Sequence, residues 1–398
     1  MDPPPTAPYA PAAAGPGIVL LAAVSAYAAV AIDSLLPALP ALAAAFAVPP
    51  AEAQLALGAL MAGIALGQLV YGPLSDRYGR RPPLLAGTAL FAAAGGFAAM
   101  APDLETLAAW RFLQGCGAAA GPVLARAIVR DLHERDEAAR VLSYVTFTMG
   151  LLPIAAPLIG AQLLAHLGWR AIVALHAAYG LALGLLLWWR FAETLPASRR
   201  GVGLSPIGAY LAVLRHRRSI GQVATNVVAT TAFFVFLSAS PFVMIEGVGV
   251  PAELYGLVFG LAILGLMTGA MLNGRLVRRF GLDALMRAGR PALAAASLLL
   301  AAVALARLGG LAGLLAALWL FLVALSFFGI NAIAAALAAL PERAGTVSAL
   351  IGAGQFALGA LTGPLAGWLI GDDPMPMLAL MAGIAIVAIG LQRLAVGR

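Results

Sequence analysis

Along the chain, apolar side chains run in long blocks, and polar residues are confined to short breaks between them. There are about twelve such blocks between Gly17 and Val396, each near the roughly 20 residues a helix needs to cross a bilayer. They predict helices over 17–40, 52–73, 83–101, 104–130, 139–164, 169–190, 219–246, 253–277, 288–307, 310–336, 344–370 and 375–395. The blocks nearly exhaust the chain, so no stretch remains for a sizeable soluble domain. The longest polar interval, 191–218, carries Pro196, Gly201, Gly203, Pro206 and a basic cluster, and it reads as a cytoplasmic linker. It separates an N-terminal six-helix half (17–190) from a C-terminal one (219–398). Residues 1–16 are rich in Pro and Ala, lack a basic n-region and a cleavage site, and predict a disordered cytoplasmic tail.

If the halves are related, features should recur about 200 residues apart, and two do. Gly72-Pro-Leu-Ser-Asp-Arg-Tyr-Gly79 after the second helix is echoed by Gly274-Arg-Leu-Val-Arg-Arg-Phe-Gly281 after the eighth. Ala156-Pro-Leu-Ile-Gly160 in the fifth is echoed by Gly363-Pro-Leu-Ala-Gly367 in the eleventh. Both fall at the expected helix, so internal duplication is the better explanation. The fold expected is an all-α integral membrane protein of two pseudo-symmetric halves with a site between them.

Composition narrows the class. The chain of 398 residues is 62% hydrophobic and 10% charged, with a mean hydropathy of +0.96 that excludes a soluble domain of this length. The net charge of +7 comes from arginines in short loops without interleaved aromatics, which does not fit a nucleic-acid surface. With the N-terminus in the cytoplasm, 20 of the 24 arginines fall on the cytoplasmic side, Arg170 and Arg307 fall outside, and Arg111 and Arg126 lie within a helix. That asymmetry predicts both termini inside and a multi-pass protein of the bacterial inner membrane. The single cysteine, Cys116, lies in an apolar helix and forms no intramolecular disulfide.

Asp33 is the one acid placed in the interior of a spanning helix. A charge there costs about 2.5–3.5 kcal/mol on insertion scales, so it marks a functional site unless it lies at the outer interface. Arg111 is the matching cation in the fourth helix. Asp33 precedes the expected end of its helix by seven residues, and Arg111 follows the start of its own by seven, which predicts that they meet at one depth. Desolvation and an opposing charge act on such a carboxylate in opposite senses, which suits it to proton exchange. Gln114 and Gly115 follow Arg111 on the same face, and Gly117 and Gly121 extend a small-residue stripe suited to close helix packing. The loop Gly72–Pro82 sets Asp76 beside Arg77, Arg80 and Arg81 and between Gly72 and Gly79. It predicts an ionic latch at the cytoplasmic mouth that breaks when the halves rock. Tyr27, Asn226, Phe233, Phe236 and Gln355 are further candidates for a substrate cavity, which wants aromatic walls and a few polar groups. The four histidines show no metal-ligand spacing, and among them only His176 is embedded.

These residues carry a resemblance. Gly72–Arg81 resembles the signature loop of the major facilitator superfamily, and Trp110–Gly117 resembles its fourth-helix motif, whose arginine is linked to proton coupling. The stretch Gly150–Gly160, with Pro153 and Pro157, is similar to the fifth-helix antiporter motif, though this copy reads Ala-Pro where Gly-Pro is commoner. Within the superfamily, Asp33–Pro40, Leu124–Arg140 and Ser240-Pro-Phe242 resemble the Bcr/CflA branch of drug:proton antiporters. The resemblance implies export of small amphipathic antibiotics, such as bicyclomycin or chloramphenicol-type compounds, by alternating access. Protons would be the coupling ion, with no cofactor, no nucleic-acid partner and a monomer as the working unit. Where some relatives carry a second acid in the first helix, this chain has Ser25 and Tyr27, which argues against more than one proton per cycle.

Two other readings stay open on the residues alone. Proton-coupled uptake of a sugar, organic acid or amino acid is opposed by the proline-rich fifth helix. An integral-membrane enzyme acting on lipid needs acidic clusters or histidines at the membrane edge that this chain lacks.

Overall fold

The computed structural model describes residues 17–133, 135–201, 206–306, 310–370 and 374–396, and the regular structure among them is helical throughout. The expected tail, residues 1–16, lies outside the described residues, as do Gly203, Arg307 and Arg398. Twelve helices among the described residues are long and apolar enough to cross a membrane. Helix 1 is built of pieces, Ile18–Ser25, Tyr27–Asp33, a 3-10 turn at Leu36–Ala38 and Leu39–Phe46, so it runs past the expected end at Pro40. The others are helix 2 (Leu55–Tyr78), helix 3 (Arg81–Ala99), helix 4 (Leu104–Ala118 with Ala120–Leu132), helix 5 (Arg135–Leu167) and helix 6 (Trp169–Arg190). In the second half come helix 7 (Arg217–Pro241), helix 8 (Ala252–Phe280), helix 9 (Leu282–Ala306), helix 10 (Gly310–Ala339), helix 11 (Ala344–Ile370) and helix 12 (Pro374–Val396). An even number of crossings brings the two ends of the chain to one end of the bundle, where most arginines also lie; we call it the basic end.

Local chemistry sets the boundaries. Asp103 accepts from the Thr106 amide at 2.7 Å and starts helix 4, and prolines occupy the first turn of helix 3. The linker departs from its reading as a plain polar interval, because it contains a helix, Pro206–Arg215. Ile207, Leu211 and Leu214 form an exposed stripe at helical spacing on it, while Val213 is buried and the Tyr210 hydroxyl donates to the Leu69 carbonyl at 3.2 Å.

Helix packing follows the glycines. A Cβ on Gly115 would stand 2.0 Å from the Leu60 carbonyl oxygen, and one on Gly63 would stand 2.0 Å from that of Phe112, so helices 2 and 4 touch backbone to backbone. The same holds for Gly121 against Val24 and for Gly160 against Ser34, which bring helices 4 and 5 onto helix 1. In lipid, where burying apolar surface gives little net drive, this close approach is what makes dispersion forces add up. Large apolar side chains such as Leu66, Val70, Leu181 and Leu185 point outward because the solvent there is hydrocarbon.

The halves meet along two seams, helix 2 on helix 11 and helix 5 on helix 8. Gly58 lies against Ala360 and Gly352 against Gln68 in the first seam, and Gly256 against Pro157 and Leu158 in the second. These four helices are the ones that carry the sequence echoes. The echo extends to the backbone, since Gly79 and Gly281 end helices 2 and 8 with φ of 94° and 77°, a region that favours glycine.

Gly115→Ala is expected to lower the stability of the purified protein by about 1–3 kcal/mol, because neither backbone can give way locally. Gly383→Ala, with nothing within 4 Å of the added atom, serves as the control. Thermal unfolding in detergent reads the difference, and equal midpoints for the two variants would refute the packing argument.

Candidate functional site

The site begins with a break in helix 1. Pro37 has no N–H for the Asp33 carbonyl four residues earlier, and Pro40 has none for Leu36. The chain tightens into a 3-10 turn, in which the Leu35 amide donates to Ile32 rather than to Ala31. The Ala31 carbonyl is therefore freed inside the bundle. Asp33 closes the helical segment with its side chain buried, the one buried acid among the described residues.

Arg111 of helix 4 takes up the freed carbonyl. Its Nη2 donates to Ala31 O at 2.7 Å, Nη1 to Gln114 Oε1 at 2.7 Å and to His176 Nδ1 at 3.4 Å, and Nε to Ala56 O at 3.4 Å. The side chain is wholly buried. No ion pair joins Arg111 to Asp33, so the meeting expected from their depth does not take this form. The guanidinium is drawn to the carbonyl two residues before Asp33 because the helix break leaves that oxygen without a donor, and an unmet backbone acceptor in the bilayer is costly.

His176 of helix 6, passed over in the sequence because a lone embedded histidine has no metal partner, completes this cluster. Arginine only donates, so His176 Nδ1 accepts and its hydrogen sits on Nε2, which donates to Ser34 Oγ at 2.8 Å. Ser34 in turn donates to Val30 O at 2.7 Å. The logic that singled out Asp33, a polar residue in an apolar helix, applied equally to His176.

The turn that follows Asp33, Leu36–Ala38, packs on helices 7 and 8 of the second half. The Tyr255 hydroxyl of helix 8 lies within electrostatic reach of the Asp33 carboxylate and is 2.8 Å from Ser240 Oγ. Helix 7 breaks at Pro241 into a π-helical turn, Phe242–Gly247, just as helix 1 breaks after Asp33. The turn after the first break packs on helices 7 and 8, and the turn after the second touches the Leu39–Phe46 segment of helix 1. Paired discontinuous helices at one level are where transporter folds place their sites.

The remaining cavity candidates divide. Gln355 donates to Asn226 Oδ1 at 2.8 Å and to Thr230 Oγ1 at 3.2 Å, and Asn226 donates to Gly329 O at 3.0 Å, so these two form a polar patch in the second half with half-buried Phe233 nearby. Tyr27 and Phe236 are instead fully buried within their own halves. Tyr27 bonds Thr88 at 3.0 Å and stacks on Phe91, and Phe236 stacks on Phe259. Gln114 lies against Gly95, with its Nε2 lacking a partner.

Helix 5 passes through Pro153 and Pro157 as one continuous helix. Gly160 seats the broken part of helix 1, Pro157 seats Gly256 across the seam, and Gly150 has only the tip of Met267 nearby.

At the basic end, the loop forms a knot different from the expected latch. Arg80 bonds Asp76 at 2.5 Å, Ser75 at 2.8 Å and Asp131 at 2.7 Å. Glu193, after helix 6, accepts from the amides of Arg80 and Arg81 at 2.7 and 3.1 Å and so caps helix 3. Gly79 must lack a side chain, since a Cβ would stand 2.3 Å from Glu193 Oε2. Arg77 stacks on Tyr78, and Gly72 offers its carbonyl to Ser75. None of the bonds of Asp76 or Arg77 reaches the second half, so the knot ties helices 2, 3, 4 and the linker into one body. Asp131 and Glu193 were absent from the sequence expectation because their partners lie 51 and 113 residues away.

Among the described residues, no group of three His, Cys, Asp or Glu side chains is placed to hold a metal. What the arrangement offers is two packed half-bundles with a buried carboxylate at their junction, which is the design of a membrane transporter. The model for the Major Facilitator Superfamily matches residues 19–364, and the chain belongs to that superfamily. It is 32% identical over 364 residues, 89% of each chain, to an uncharacterized MFS-type transporter of Bacillus subtilis. It is 29% identical to a bicyclomycin resistance protein homolog of Haemophilus influenzae over 90% of each chain. It is 29% identical to a chloramphenicol resistance protein of Pseudomonas aeruginosa over 94% of this chain and 89% of the relative. These agree with the motif resemblance to Bcr/CflA-type drug transporters. The fold matches a D-xylose-proton symporter with a TM-score of 0.70 at 16% identity over 96% of this chain and 98% of that one. It also matches a bacterial homolog of the lysosomal transporter Spinster with a TM-score of 0.72 at 15% identity, over 95% and 96%. At such identities the likeness is one of fold. The protein is a multi-pass inner-membrane transporter and not an enzyme.

Burial raises the pKa of Glu193, but bonds from the Leu195, Arg80 and Arg81 amides and the nearby Arg200 outweigh it and hold the carboxyl below its ordinary 4.5. A depressed folded-state pKa contributes stability above pH 4.5 that is lost as the pH falls through the lowered value. Glu193→Gln is therefore expected to be less stable than wild type at pH 7, with the gap closing below about pH 4. Thermal midpoints across pH 3–7 check this, and a gap that widens on acidification would contradict it.

Proposed function

We propose that the protein is a proton-coupled exporter of small amphipathic drugs, with its basic end in the cytoplasm, that works by alternating access as a monomer. The observation that carries this reading is Asp33, a buried acid without an ion-pair partner among the described residues, at a helix break whose turn packs on the other half. When the halves rock, the water access and polar surroundings of such a group change together, which is what proton exchange requires. Arg111 is a positioning residue here: its guanidinium keeps its charge and holds the unwound turn that presents Asp33. Proton entry from outside would favour drug release there, and proton loss to the cytoplasm would reset the site. The polar patch of Asn226, Gln355 and Thr230, with Phe233 beside it, suits one face of a drug with few hydrogen-bonding groups. The names of relatives tied to bicyclomycin and chloramphenicol resistance support that substrate class, as does the proline-bearing helix 5.

Asp33→Asn keeps the shape of the side chain and removes its titration. In an efflux-deficient host at matched expression, it is expected to lower resistance to a phenicol or bicyclomycin to that of cells without the transporter. Arg111→Lys is expected to fail as well, because an ammonium cannot serve four acceptors spread around a planar fork. Susceptibility panels with and without a protonophore decide the matter. Undiminished resistance in Asp33→Asn removes that residue from coupling, and protonophore-insensitive resistance removes the proton.

A further inference from the structure

A second site lies away from the junction of the halves. At the basic end of the second half, helices 7, 9, 10 and 12 enclose a cavity of about 410 Å³, walled in part by Arg218, Arg287, Arg290, Asp283, Gln222 and Gln392. Gln222 and Gln392 are 2% and 1% exposed. The Oε1 of Gln222 and both amide atoms of Gln392 have no hydrogen-bond partner. Each unmet buried group costs about 1–3 kcal/mol, and what sets these amides apart from the other unmet ones is that three such atoms, on two residues, share one cavity wall with three arginines, which points to a ligand. Among the described residues none of the three arginines has an ion-pair or hydrogen-bond partner, and Asp283 is the one carboxylate of the lining, so the lining side chains carry a net charge of plus two. The start of two helices and the end of two others meet here, so their dipoles nearly cancel and the arginines set the sign.

Depth restricts the occupant. Arg218 and Gln222 lie in the first two turns of helix 7, Asp283, Arg287 and Arg290 in the first three of helix 9, and Gln392 in the last two of helix 12. In helices of this length the terminal turns fall in the headgroup region, where lipid phosphates lie. The volume is about a dozen water-sized groups, more than a bare phosphate fills, and the amides ask for hydroxyl donors and acceptors beside the anion. We propose that this cavity is a phosphate-ester site, in which Arg287 and Arg290 hold the phosphodiester of an acidic phospholipid while Gln222 and Gln392 bond its hydroxylated headgroup. The site is separate from the substrate path and does not depend on the transport reading.

The test uses the full chain in neutral detergent, with binding read from thermal midpoints during titration with phosphatidylglycerol, phosphatidylcholine or inorganic phosphate. Phosphatidylglycerol is expected to stabilise and phosphatidylcholine not to. Each basic residue near a lipid phosphate is worth about fivefold, so Arg287→Gln with Arg290→Gln is expected to weaken the phosphatidylglycerol response about thirtyfold. Neither side chain has a bonding partner among the described residues, so folding should survive; Gln222→Leu with Gln392→Leu offers an independent route to the same loss. Arg278→Gln with Arg279→Gln removes as much charge from the last turn of helix 8, outside the cavity, and is expected to leave binding unchanged. Equal responses to the two lipids, wild-type affinity in the cavity variants, or an equal loss in the helix 8 control would overturn the site. Protection by inorganic phosphate alone, through the same arginines, would overturn the lipid as its source.

Discussion

A guanidinium wholly buried in an apolar bundle is the constraint around which the first half is arranged. Charge at that depth is expensive, and Arg111 has no carboxylate to offset it. What it has is a carbonyl released by a helix break, a second carbonyl from helix 2, an amide one turn along its own helix and a histidine. The break and the arginine therefore explain each other. Were the helix to continue past Asp33 the Leu35 amide would bond the Ala31 oxygen, and without Arg111 that oxygen would be stranded in the membrane. The His176–Ser34–Val30 chain secures the same unwound turn from the other side.

That local arrangement has a consequence at the scale of the molecule. Because the arginine is occupied by backbone, Asp33 is left unpaired beside the turn that meets the second half, near the helix 7 break where Ser240 bonds Tyr255 of helix 8. A carboxylate paired firmly with Arg111 would be held in one charge state, whereas an unpaired one is free to respond to its surroundings, as the proposed proton coupling requires. In the proposed cycle the first half moves as a body because it is internally locked. Glycine contacts hold helices 2 and 4 backbone to backbone, and the Arg80–Asp131–Glu193 knot ties the basic end of the first half to the linker. The two seams, helix 2 on 11 and helix 5 on 8, are where such a rocking motion would be taken up, and there glycines meet backbone or a flexible side-chain end.

Much of this was legible in the residues. Spans could be read because lipid imposes a length and a polarity on every crossing, and the echo of Gly79 at Gly281 could be read because both positions demand an unusual backbone angle. Asp33 and Arg111 stood out because charge is rare in such helices. Tyr27 and Phe236 misled because an aromatic in a spanning helix looks the same from the sequence whether it lines a cavity or packs on Phe91 or Phe259. The helix Pro206–Arg215 was lost in a polar interval because it is short and only one of its faces is apolar.

The sequence by itself determined the number of crossings, the division into two halves, the duplication and the identity of the two embedded charges, since each of these depends on one residue or on near neighbours along the chain. Only the tertiary structure decided what those charges touch. Depth along a helix can be counted from its ends, but the direction of a side chain depends on where the helix breaks and on what stands opposite. Here the answer came from residues as distant as Ala31 and Arg111, Arg80 and Glu193, and Asp33 and Tyr255, whose meeting no local pattern encodes.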